Sequence, residues 1–192
     1  MNKHESKYFN TARLMNDALI FLLEKKEYSF ITVKDICQKA GVNRSTFYLH
    51  YETMNDLLEE TLAYSTKSFE EQFQVDNNGD KLDPMNDLVL VKPQYILPYL
   101  RFLKQNKKVY IAAMSQPKVL SADKYFDKVY FQIVLPVLQK LQVPANEQQY
   151  VATFYTSGLH NMVFAWVKGG CVEDENFICE IMMKYTSNGN RQ

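Results

Sequence analysis

The chain has only three cysteines in 192 residues, Cys37, Cys171 and Cys179, and no net charge, with 22 Lys and Arg against 22 Asp and Glu. So few thiols, in odd number and in a chain of this size, exclude a disulfide framework. None stands at metal-ligand spacing from His4, His50 or His160, so reduced side chains are expected and neither metal nor cofactor is implied. Cys171 and Cys179, eight residues apart, leave a regulatory thiol pair as the alternative. No apolar run approaches the roughly 20 residues of a membrane span, and the polar start Met-Asn-Lys-His-Glu-Ser-Lys has no signal-peptide character. A cytoplasmic protein is expected. Also missing are a Gly-rich phosphate loop, a Ser/His/Asp or Cys/His set and a His/carboxylate cluster, so nothing supports an enzyme. Zero charge argues against a broadly basic nucleic-acid binder. Residues 1–55 carry eight Lys and Arg against six Asp and Glu, a small excess, so a DNA-binding function has to rest on a motif.

Residues 31–57 supply that motif. Thr32 is placed to cap a helix, and Asp35 stands at the capping-box position, shorter than the usual Glu. Val33, Ile36, Cys37 and Ala40 then share one face, with Lys34, Gln38 and Lys39 opposite. Gly41 can end the helix in a left-handed conformation without a Cβ penalty. Val42 packs under the turn and Asn43 caps a second, shorter helix. In that helix Phe47 and Tyr51 lie one turn apart and can pin it to a core. Arg44, Ser45, Thr46, Tyr48, Leu49 and His50 are left over. Arg44 offers a guanidinium fork for guanine N7 and O6, Thr46 and Tyr48 offer hydroxyls, and Leu49 suits a thymine methyl. Thr53 caps a further helix from near Met54. A helix, a glycine turn and a short helix crowded with hydrogen-bonding groups predict a reader of the DNA major groove.

The run Thr-Val-Lys-Asp-Ile-Cys-Gln-Lys-Ala-Gly-Val-Asn-Arg-Ser-Thr-Phe-Tyr-Leu-His-Tyr from Thr32 to Tyr51 strongly resembles the signature of tetracycline-repressor-type (TetR family) transcriptional regulators. The resemblance covers residues 8–64 by motif and the remainder by helical layout and length. It implies that Lys34, Asn43, Arg44 and Ser45 lie near base edges. Thr32, Thr46, Tyr48 and His50 would sit mainly on phosphates, with Phe47 and Tyr51 buried. Two positions depart from the pattern. Met54 stands where the family often has a phosphate-binding Lys, leaving the amides of Thr53 and Met54 at the helix start to hold that phosphate. Cys37 replaces a small Ala and reads as a buried substitution.

The rest of the chain predicts further helices, about nine in all, in an all-α fold. A first helix over 7–25 presents Phe9, Ala12, Met15, Leu19 and Leu22 on one face; Tyr28 and Phe30 close the small core. A fourth, over 55–74, turns Leu57, Leu58, Leu62, Tyr64 and Phe69 toward its neighbours. Residues 76–86 read as a polar loop and 88–91 as a short apolar piece. Helices follow over 94–105, where Pro98 predicts a late start or a kink, over 107–115, and over 122–141 with a bend at Pro136. Asn146 caps one that runs to Lys168, Gly169-Gly170 stops it, and a last helix runs from Asp174 to Tyr185. The domains predicted are 1–67, a three-helix DNA-binding unit, and 68–192, a helical effector and dimerisation unit.

Tyr155, Gly158, Leu159, Met162 and Trp166, with Ile178, Ile181 and Met182, form stripes on the last two helices that can pair two subunits in a four-helix bundle or face the subunit's own core. The resemblance favours a homodimer. Phe154, Tyr155, Gly158, Leu159, Trp166 and Gly170 also resemble a subgroup that includes regulators of dihydroxyacetone-kinase operons. In the family the middle region encloses an effector pocket, which here would draw on Tyr95, Tyr99, Phe102, Tyr110, Met114, Phe126, Tyr130 and His160; packing alone is the competing reading of those residues. The function expected is a ligand-responsive repressor that binds double-stranded palindromic DNA as a homodimer. The alternative is an activator or other regulator of the same family controlled by a protein partner.

Overall fold

The computed structural model describes residues 3–73, 93–116, 118–119 and 135–187. Among them every regular element is helical: α1 (Lys3–Leu23), a 3-10 turn (Tyr28–Phe30), α2 (Val33–Ala40), α3 (Arg44–His50), α4 (Met54–Phe73), α5 (Pro93–Gln105), α6 (Lys107–Met114), α7 (Leu135–Lys140), α8 (Ala145–Lys168) and α9 (Glu175–Ser187). The all-α architecture expected from periodicity is what forms. None of these helices is long and apolar enough to cross a membrane. The expected loop at 76–86, the apolar piece at 88–91 and most of the helix expected over 122–141 lie outside the described residues.

The chain divides into two compact units. The first comprises Met1–Ser68 with Lys108–Leu120, and the second Phe69–Lys107 with Ser121–Gln192. The first unit is built around Met15, Leu19 and Leu23 of α1, Ile36 and Cys37 of α2, Phe47 and Tyr51, and Leu57 and Leu58 of α4. Val109, Ala112 and Ala113 of α6 and Val119 join the same core. Residues 108–120 therefore pack with the N-terminal helices and not with the effector unit expected to hold them. A polar ladder runs through this core. Thr61 Oγ1 donates within reach of Asn16 Oδ1 (2.8 Å) and Leu57 O (2.7 Å), Ser65 Oγ donates to Thr61 O at 3.0 Å, and the Thr66 and Tyr110 hydroxyls lie 3.2 Å apart. The hydroxyls of Thr61, Ser65 and Thr66 thus have partners, as the cost of desolvating them requires, whereas the buried Tyr51 hydroxyl has none among the described residues.

Some residues expected inward face out. Phe9, Phe30 and Tyr64 are exposed, and Phe69 falls where side chains are not described. Tyr28 does close the turn before α2, donating its hydroxyl to Asn55 Oδ1 at 2.8 Å. Burial, reinforced by the nearby Asp56 charge, pushes its pKa up to about 12.

In the second unit α5 packs on α8 and α9, and α7 on α8. α5 runs through Pro98 instead of starting late. Pro93 opens the helix, where a missing N–H costs nothing, and Pro98 removes one interior hydrogen bond while Leu100 and Leu103 beyond it are fully buried. The cap of α8 is also displaced by two residues, because Pro144 takes the position expected of Asn146. At the far end of α8, Gly170 takes φ +88° and the Trp166 indole N–H donates to Glu173 O at 3.0 Å. Lys107 Nζ donates to Gly170 O at 2.9 Å and Lys104 Nζ to Glu175 Oε2 at 2.6 Å. The turn between α8 and α9 is thereby tied to the end of α5.

Candidate nucleic-acid interface

The two helices of the motif are set by short-range chemistry. The Thr32 hydroxyl accepts from Asp35 N (3.3 Å) while Asp35 Oδ2 accepts from Thr32 N (2.8 Å), a reciprocal capping box despite the short acidic side chain. Lys26 Nζ donates to the same carboxylate oxygen at 2.8 Å, and that ammonium with the Thr32 donors holds the Asp35 pKa far below the usual carboxylate range. Gly41 ends α2 at φ 69°, ψ 30°. A Cβ at Gly41 would meet nothing within 4 Å, so only backbone strain opposes a side chain there. Gly41→Ala is expected to lower unfolding free energy by about 1–2 kcal/mol, read from urea denaturation; a neutral result would mean that the turn relaxes out of the left-handed region.

Beyond the turn, Asn43 caps α3. Phe47 and Tyr51 are buried and fix its inner side, with ring centroids 5.6 Å apart. On the outer side Arg44 and Ser45 are exposed, Tyr48 is 53 % and Leu49 78 % exposed. At about 100° per residue these four span one arc of about 140°, wide enough to meet a groove floor. Thr46 and His50, half-buried, fall outside that arc, about 60° and 100° beyond Leu49. Among the described residues neither Lys34 nor Arg44 has an ion-pair partner. Lys39 instead lies 3.5 Å from the Phe21 ring centroid, a cation–π contact that keeps it beside α1.

Several predicted contact groups are already engaged. Asn43 Oδ1 accepts from Thr46 N, Ser45 Oγ and Thr46 Oγ1 at 2.7, 2.7 and 2.8 Å. A bidentate grip on adenine needs both ends of the amide, and capping occupies one, so only Nδ2 of Asn43 is left for DNA. The hydroxyl protons of Ser45 and Thr46 are spent likewise, leaving lone pairs that accept but do not donate to a phosphate. Thr32 Oγ1 donates to Asp35 Oδ2 at 2.7 Å. At the start of α4, Thr53 N–H donates to Asp56 Oδ2 at 2.7 Å, so of the two amides expected to hold a phosphate there, Thr53 is taken. Met54 packs against the core, which accounts for an apolar residue at that position. Cys37 is buried and burial raises its pKa, with the Arg44 charge opposing only in part; its thiol stays protonated. Capping chemistry was readable at Thr32, Asn43 and Thr53, but its consequence for the contact groups was not drawn from sequence.

The residues expected to form an effector pocket do not all gather. Tyr110 and Met114 belong to the first unit. Tyr99 and Phe102 on α5 and His160 on α8 are half-buried in the second, and His160 lies 3.8 Å, centroid to centroid, from Phe164. Burial lowers the His160 pKa and favours the neutral ring. The Tyr95 side chain, Phe126 and Tyr130 lie outside what the structure describes. Of the residues expected in a dimer interface, Trp166, Ile178 and Met182 are buried within the chain. Tyr155, Leu159, Met162 and Ile181 are half-buried, and Gly158 is exposed. An outward stripe of α8 was only partly foreseen: Tyr150 is 77 % and Phe154 74 % exposed, and Gly158, expected in the interface, continues it with Asn161 and Ala165 at steps of four, three and four.

Known proteins resemble the chain in both parts. Residues 17–61 match the family described as bacterial regulatory proteins, tetR family. Residues 93–188, half of the chain, match a model described as a transcriptional regulator C-terminal region, of TetR type. The uncharacterized HTH-type transcriptional regulator YxbF of Bacillus subtilis (strain 168) is 26 % identical over 122 residues, 63 % of this chain and 30 % of that protein. The chain thus spans less than a third of this relative's length. Among solved structures the dihydroxyacetone kinase operon activator DhaS superposes with a TM-score of 0.61 at 17 % identity, covering 93 % of this chain and 95 % of that one, a likeness of fold. With the helix-turn-helix, its capped and anchored α3 and both family matches in place, the chain belongs to the TetR family of transcriptional regulators.

Proposed function

We propose that the chain is a homodimeric, ligand-responsive repressor that reads a palindromic operator through α3. One observation supports this most: Arg44, Tyr48 and Leu49 face outward on a helix whose inner side is fixed by the buried Phe47 and Tyr51. Two copies would set α3 into successive major grooves about one DNA turn (roughly 34–36 Å) apart. Reading is assigned to the helix-turn-helix unit of residues 1–67, onto which 108–120 pack, and pairing and effector response to the rest of 68–192. Its place is in the cytoplasm, and no catalytic step is assigned to it. Sequencing duplexes retained from a random pool tests the reading; two inverted half-sites are expected, and a single unrepeated site would contradict the dimer.

Pairing is assigned to the outward stripe of α8, flanked on α9 by the exposed Phe177 and Tyr185. Nothing lies within 4 Å of a Cβ built on Gly158, which leaves room for a second helix to approach closely between the aromatic rings. Phe154→Asp is expected to halve the mass measured by light scattering at micromolar concentration. Operator affinity should fall by about 100-fold or more as the two heads lose their linkage. An unchanged mass would remove this stripe from the interface.

The effector is assigned as a small, largely apolar or flat molecule, on the aromatic character of the second unit at Tyr99, Phe102 and His160. It acts by preferring one head spacing, since equal affinity for both states shifts nothing. Activation is the second reading, with a protein partner as its signal, favoured by the name of DhaS as an operon activator. Transcription in vitro from a promoter carrying the selected site separates the two: the repressor lowers transcript yield, the activator raises it.

A further inference from the structure

His50, the last residue of α3, has an aromatic neighbour from another helix. The Tyr8 ring of α1 stacks on it with centroids 3.9 Å apart and planes 22° from parallel. The Tyr51 ring lies 5.9 Å away, tilted by 36°. Tyr8 is 50 % exposed, so core packing alone does not account for its place. The two ring nitrogens of His50 differ: Nδ1 is buried with no hydrogen-bond partner among the described residues, and Nε2 is not so enclosed. A proton on Nδ1 would bury an unpaired donor, which costs more than leaving a lone pair there. The neutral ring therefore carries its proton on Nε2. Burial lowers the His50 pKa, with the Glu60 charge in partial opposition, and favours this neutral form.

We propose that Tyr8 is a positioning residue for DNA binding: its ring clamps His50 so that the Nε2–H, at the C-terminal end of α3, donates to a backbone phosphate beside the groove. The inference rests on the DNA-binding reading above. It adds α1 to the contact surface and makes His50 a neutral donor, which fixes register without releasing a counterion.

The test uses the full chain and a duplex selected by it, with affinities of Tyr8→Ala, Tyr8→Leu, Tyr8→Phe, His50→Ala and the Tyr8→Ala/His50→Ala double variant measured across a salt series. Loss of the stacked ring in Tyr8→Ala, and equally in Tyr8→Leu, is expected to weaken binding about three- to tenfold, while Tyr8→Phe stays within about twofold. The double variant should bind no worse than His50→Ala alone, because Tyr8 acts through His50. The dependence of affinity on salt should keep its slope in every variant. A purely structural Tyr8 would instead lower the melting temperature in parallel with affinity and would show no coupling to His50. Unchanged affinity in both Tyr8→Ala and Tyr8→Leu, losses that multiply in the double variant, or a shallower salt slope for His50→Ala would overturn the inference, provided that Arg44→Ala still weakens binding. Failure of the unaltered chain to bind any duplex would defeat the DNA-binding reading itself, and this inference with it.

Discussion

Phe47→Ala is expected to cost about 3–5 kcal/mol of unfolding free energy, the largest single effect in the first unit. The Phe47 ring is fully buried among Met15, Leu19, Ile36, Leu57 and Leu58, residues contributed by α1, α2 and α4, so no one helix can shift to refill the space. Whole-domain stabilities are about 5–15 kcal/mol, and the loss is a large part of that. Urea unfolding followed by circular dichroism checks it. A cost below about 1 kcal/mol would show that the core collapses around the deletion and that α3 is not anchored as described. DNA binding in this variant should fall in step with the folded fraction.

Arg44→Ala should behave in the opposite way. Its side chain is exposed and has no ion pair among the described residues, so unfolding free energy should hardly change. Affinity for the selected operator should drop by about 1–3 kcal/mol, and discrimination should blur at one base pair in each half-site. Competition titrations with single-base variants of the operator measure both. If affinity falls equally for every sequence, Arg44 contacts phosphate and the base assignment passes to Tyr48 and Leu49. The contrast between the two substitutions separates what holds α3 from what α3 presents.

The parts of this molecule that were legible in its sequence are those whose signals are local. Thr32 with Asp35, Gly41, Asn43 and Thr53 each act within four residues, and each takes the role that its chemistry predicts. Phe47 and Tyr51 were assigned inward on one-turn spacing, which a short helix obeys wherever it packs. Exposure of large residues was not legible in the same way. Phe9, Phe30 and Tyr64 read as core, and only the tertiary arrangement leaves them outside. Tyr110 was read with the effector region because its neighbours in sequence are there; the contact that moves it, with Thr66, spans 44 residues. The engagement of Asn43, Ser45 and Thr46 with one another was implicit in the capping rule. Capping and base reading compete for the same oxygen atom, and reading one role from the sequence hid the conflict.

The account turns on α3 presenting its outer arc to the major groove. Dimethyl sulfate modifies guanine at N7 in the major groove and adenine at N3 in the minor groove, so protection from it on a selected duplex reports the groove directly. A protected guanine N7 in each half-site is expected with the unaltered chain and lost with Arg44→Ala. Protection confined to adenine N3, or a guanine that stays protected when Arg44 is gone, would contradict it.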